Sequence, residues 1–126
     1  MRALTVGIAC GLLFALPVYA GDDNAALPEV TPATHIQCAA AEIIFSGTIK
    51  YQIKAGTATP EQISQYDDLT KRAVFNLEMA SKTLTQDQKE KMVHEATTKY
   101  LEDMGRNPPN FDKLAADLKN CFAMRI

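Results

Sequence analysis

Four stretches of the chain carry apolar residues at helical spacing, and each is bracketed by start and stop signals. The first opens at Thr31-Pro32, an N-cap followed by a proline whose fixed φ and missing N–H suit the first helical turn. It stops at Gly56, which predicts a helix from about 32 to 55. The second opens at Thr59-Pro60-Glu61-Gln62, where Thr59 and Gln62 can satisfy each other's free backbone N–H groups as a capping box. Its stripe of Ile63, Tyr66, Leu69, Ala73, Leu77 and Ala80 carries the helix to about residue 83. The third repeats the start signal at Thr85-Gln86-Asp87-Gln88, turns Val93, Ala96, Tyr100 and Met104 inward, and closes at Gly105. Gly105-Arg106-Asn107-Pro108-Pro109 cannot continue a helix, because each proline lacks an N–H and restricts the residue before it. The last helix therefore starts near Asn110 or Asp112, with Phe111, Leu114, Ala115, Leu118, Cys121 and Phe122 as its core stripe.

The first helix differs from the others in being apolar on two sides. Ile36, Ala40, Ile43, Ile44, Gly47 and Tyr51 share one face, and Cys38, Ala41, Phe45 and Ile49 lie nearly opposite. A helix wetted on neither side is covered by its own domain or by a second copy. The pattern thus predicts a central core helix, with a homodimer seam as the second use of its spare face.

Ahead of the helices stands a different pattern. Arg2, an apolar run from Ala3 to Leu16, Pro17 and the small-residue ending Val18-Tyr19-Ala20 follow the order of a secretory signal peptide cleaved after Ala20. The run is shorter than the roughly 20 apolar residues that cross a bilayer. The expected organisation is a signal peptide at 1–20, a polar leader at 21–31 and one helical domain at 32–126, with no membrane span after cleavage. Cys10 leaves with the signal, and the two remaining cysteines reach a compartment where disulfides persist, so Cys38 and Cys121 are expected to bridge. The closed loop is long, and the chain-entropy picture credits it with roughly 4 to 5 kcal/mol. Cys38 is early in the first helix and Cys121 late in the last. An up-down bundle brings those two ends together, so helix count and cysteine positions agree on an all-α, up-down four-helix bundle stapled by one disulfide.

Charge narrows the partners. The 126-residue chain carries 13 basic and 15 acidic residues. Without Arg2 the mature domain is slightly more acidic still, with none of the dense basic stripe that nucleic acid requires. The candidate chemistry is sparse. His94-Glu95 begins like a zinc-protease helix, but the second histidine one turn on is replaced by Thr98. Asp67-Asp68 and Glu102-Asp103 are adjacent pairs whose side chains diverge by about 100° on a helix, so neither pair faces one substrate. Ser46-Gly47 lacks the glycine before the serine that a nucleophile elbow needs. The reading is a protein that is not an enzyme and needs no metal or cofactor. Two surface features remain: the turn Arg106, Asn107, Pro108, Pro109 and Asn110, stiffened by its prolines and suited to insertion into a partner's groove, and a patch of Lys71, Phe75, Met79 and Lys82 behind the second helix's core stripe.

In layout, with its signal peptide, small helical domain and proline-rich turn before the last helix, the chain resembles the exported immunity proteins with which bacteria neutralise cell-wall-degrading effectors of the type VI secretion system. That resemblance implies a periplasmic or secreted homodimer that inserts a loop into a peptidoglycan hydrolase, with Arg106 to Asn110 as the candidate here. The format is also similar to that of helical acid-stress chaperones with one disulfide, which expose apolar surface when acidified. A passive envelope subunit, using the Phe75 and Met79 side, is the third expectation.

Overall fold

Capping chemistry sets where the helices begin. In a computed structural model, Thr31, Thr59 and Thr85 each accept a hydrogen bond from the backbone three residues on, at Thr34, Gln62 and Gln88. The side chains of those three residues return the bond to the cap's own N–H, completing three capping boxes. The helices that follow are α1 (Pro32–Ala55), α2 (Pro60–Ala80), α3 (Gln86–Met104) and α4 (Asp112–Met124). The structure describes Leu27 and residues 29–126; the expected signal peptide and most of the expected leader lie outside the described residues.

The chain is all-helical among the described residues and carries one disulfide. Gly56 ends α1 in the left-handed conformation, φ 76°, which a side chain would disfavour. The second helix stops three residues earlier than its apolar spacing suggests. Ala80 is its last buried position, and Thr83 and Leu84 both donate back to the Ala80 carbonyl in a turn that delivers Thr85 as the next cap. At α4 the Asn110 side chain accepts from the Asp112 N–H at 2.9 Å, which starts the helix although its N-cap, Phe111, offers no side-chain oxygen.

Helix α1 is the hub. The other three helices pack on it more than on one another. Ala39, Ala40 and Ala41 are fully buried, and their short side chains let neighbouring helices come close. The main core joins Ala40, Ala41, Phe45 and Ile49 of α1 to Leu69 of α2, Tyr100 of α3, and Leu114 and Leu118 of α4. Cys38 and Cys121 form the bridge with Cα atoms 5.8 Å apart, and Ile126 packs beside it. Hydrogen bonds at both ends set α1 and α2 antiparallel: His35 meets Asn76, and Gln52 accepts from Gln62 at 2.7 Å.

Two further expectations change. The first half of α1 is buried as expected of a core helix, but its spare face emerges farther along: Ile43 and Gly47 are exposed, and Tyr51 is 75% exposed. In α2 the buried row is rotated from the apolar stripe. Ile63 is half exposed, while the polar Gln62 and Asn76 are inside. The helix turns this way because both amides find partners on α1, and a satisfied polar group can be buried where an unsatisfied one cannot. Along α3 only Tyr100 is fully buried; Val93, Ala96 and Met104 are half-buried.

Candidate functional site

The turn after α3 is held from one residue. Asp103 accepts through its carbonyl from the N–H of Arg106 at 3.3 Å and of Asn110 at 2.9 Å, and its carboxylate lies 3.4 Å from the Arg106 guanidinium. Arg106, Asn107, Pro108, Pro109 and Asn110 are all exposed between these ties, and the Asn107–Pro108 peptide is cis. The result is a short solvent-facing turn whose two ends are fixed to the last turn of α3.

A groove of about 760 Å³ runs between α1 and α3. Ile43, Ile44, Gly47 and Tyr51 of α1 form one side, and Leu101 and Met104 of α3 the other. Met104 is the last residue of α3, so this wall of the groove ends where the chain enters the turn. Here the second apolar face of α1 has its counterpart: it lines an open trough with no charged residue in its walls.

The patch behind α2 is partly engaged. Phe75 packs edge-on against the His35 ring at 6.1 Å, Met79 is half-buried, and Lys71 pairs with Asp67 at 2.9 Å. Lys82 is exposed in the turn beyond the helix. The acidic pairs are divided as helical geometry requires. Asp67 serves Lys71, Asp68 serves Arg72 at 2.8 Å, and Asp103 serves Arg106 while Glu102 faces solvent. His94 is exposed, and among the described residues no group of three or more His, Cys, Asp or Glu could hold a metal ion.

Two polar clusters escaped the hydropathy pattern. In one, the Tyr100 hydroxyl donates to Asp117 Oδ2 at 2.5 Å and accepts from Gln37 Nε2, while Lys113 pairs with the other Asp117 oxygen at 3.0 Å. It ties α1, α3 and α4 at one point. Burial, reinforced by the Asp117 carboxylate, holds the Tyr100 hydroxyl well above the ordinary phenol range, so it remains a donor. In the other, His35 Nδ1 donates to Asn76 Oδ1 at 2.6 Å, and Asn76 Nδ2 donates to Glu42 Oε1 and to the Arg72 carbonyl, both at 3.0 Å. An acidic residue inside the run Ala39-Ala40-Ala41-Glu42-Ile43-Ile44 was the available signal for this cluster.

Compared with known proteins, the chain matches no family model, no curated protein and no solved structure.

Proposed function

We propose that this is a non-enzymatic protein-binding module of an oxidising compartment, periplasmic or secreted, and that it acts as an immunity-type inhibitor of a cell-wall-degrading effector. The observation that carries the reading is the exposed turn Arg106 to Asn110, anchored at both ends on Asp103 and following directly in sequence on Met104, a wall residue of an apolar groove. A turn already fixed in shape loses little freedom on docking, and an adjoining apolar trough supplies the area that a turn alone lacks. In this proposal the turn enters the effector's substrate cleft and the groove walls seat its rim.

The antiparallel α1–α2 pair and the bridge from α4 to the start of α1 support an up-down four-helix bundle as the arrangement behind this face. A homodimer through the exposed Ile43, Tyr51 and Leu101 is the competing use of this face, since a second copy seated there would cover the groove walls. A single-chain mass by light scattering at micromolar concentration removes the dimer.

The direct test starts from the neighbouring genes: a peptidoglycan hydrolase encoded there should be inhibited by this protein, and the absence of one counts against the proposal. Digestion of purified cell-wall sacculi should stop at one inhibitor chain per enzyme. Arg106→Glu combined with Asn107→Ala should weaken inhibition at least about tenfold, the loss of roughly 1.4 kcal/mol, and Lys82→Glu should leave it intact. Full hydrolysis in the presence of excess wild-type protein would refute the proposal.

A further inference from the structure

The cluster around Glu42 stands apart from the proposed binding face. Glu42 and Asn76 are both fully buried, one on α1 and one on α2. The Asn76 amide is oriented without ambiguity. Its two hydrogens go to Glu42 Oε1 and the Arg72 carbonyl, and its oxygen receives the His35 N–H. The Glu42 carboxyl therefore has one hydrogen bond from a neutral amide, and its second oxygen, Oε2, has no partner at all. The nearest cation is committed elsewhere. Arg72 directs Nε to Asp68 at 2.8 Å and Nη1 to the Ile126 carbonyl at 3.3 Å, with its guanidinium 4.8 Å over the Phe122 ring.

Such a position tolerates a neutral acid far better than an ion. An orphaned hydroxyl costs a few kcal/mol, whereas an unpaired buried carboxylate costs several times that unless it takes a proton. The charged groups that act on Glu42 are Arg72, which favours ionisation, and Asp68, which opposes it; both come from α2. Desolvation outweighs the Asn76 hydrogen bond and the Arg72 charge, and the carboxyl is pushed up to about 8 from an ordinary 4.5.

We infer that the seam between α1 and α2 is a proton-controlled latch, closed while Glu42 carries its proton and opened, with α2 swinging off a core that the disulfide keeps joined, when Glu42 gives the proton up. The asymmetry comes from connectivity. Helix α4 is bonded covalently to α1, whereas α2 joins α1 at this end through noncovalent contacts alone: the Glu42, Asn76 and His35 hydrogen bonds, Phe75 against the His35 ring, and the buried Ala73 and Ala80. Between the two titration points the closed state holds a proton that the open state has released, so opening becomes easier as pH rises and harder as it falls.

Amide hydrogen exchange, corrected for its intrinsic pH dependence, tests the latch on the full oxidised chain. Protection of the α2 amides should fall roughly 100-fold or more between about pH 5 and about pH 8, while α4 stays protected. Glu42→Gln keeps an acceptor for Asn76 but cannot ionise, and its α2 protection should be nearly flat over the same range. Glu78→Gln, at an exposed position on α2, should behave as wild type. Parallel pH dependence in wild type and Glu42→Gln overturns the latch, and so does an equal loss of protection in α4, which would signify global unfolding. Should Glu42→Gln fail to fold, carbon-13 NMR of the wild-type Glu42 carboxyl decides: titration near the ordinary carboxylate range overturns the proposal, and titration well above it, together with selective loss of α2 protection, supports it.

Discussion

Cutting the bridge between Cys38 and Cys121 should remove a large part of this protein's stability. The crosslink spans 83 positions of sequence. Loop closure of that length withdraws about 15 cal/mol/K from the unfolded ensemble, or about 4.5 kcal/mol near room temperature. A small domain has only about 5 to 15 kcal/mol in total, so the uncrosslinked protein should sit close to its threshold. The assay is urea unfolding by far-UV circular dichroism on three samples: oxidised wild type, wild type refolded in reductant, and Cys38→Ala with Cys121→Ala. Refolding in reductant is needed because both sulfurs are buried, at 1% and 2% exposure. The reduced wild type retains its sulfur atoms, so its loss measures the crosslink alone, about 4 to 5 kcal/mol and a melting temperature lower by roughly 20 °C. The double alanine variant should lose a further 1 to 2 kcal/mol or so from the packing it vacates beside Ile126. The uncrosslinked samples should also show steeper urea dependence, because their unfolded chains expose more surface. A reduced protein within about 1 kcal/mol of the oxidised one would refute the reasoning.

Tyr100→Phe deletes the hydroxyl that Asp117 and Gln37 share. Because the lost bond is to a charged acceptor, urea unfolding should show a loss of roughly 1.5 to 3 kcal/mol. Ala40→Leu adds volume where α1 is fully buried among its neighbours, and should lower stability by about 1 to 3 kcal/mol in the same assay. An anilinonaphthalene dye should stay dark as pH is lowered to about 3, the range in which ordinary carboxylates protonate. Glu42 already holds its proton there, so acid does not open the α1–α2 seam. Bright fluorescence near pH 3 would instead favour the acid-stress chaperone.

Helix starts were legible because a cap is a local event. Thr31, Thr59 and Thr85 act within three residues of themselves, and no distant contact is needed to place them. The bridge was legible for a related reason, since two cysteines near opposite ends of the domain leave a single pairing. The inward face of α2 was not legible from apolar spacing. Hydropathy turned Ile63 inward, whereas Gln62 is buried because Gln52, ten residues away on another helix, meets it. Asn76 is inside for the same kind of reason, with His35 and Glu42 as partners. Residue-by-residue polarity carries no record of such pairings. Of the candidate site, the turn could be read from its prolines and one wall of the groove from the second face of α1, but the contribution of Leu101 and Met104 required knowing where α3 crosses.

The arrangement of three helices around α1 has a bearing on how the sequence can drift. Where outer helices depend chiefly on a shared axis, substitutions on one of them need little compensation on the next. The alanines of α1 are then the constrained alphabet, and the outer surfaces of α3 and the turn that follows it are free to be rewritten. A scaffold of that kind can change a few solvent-facing residues while its interior stays as it is.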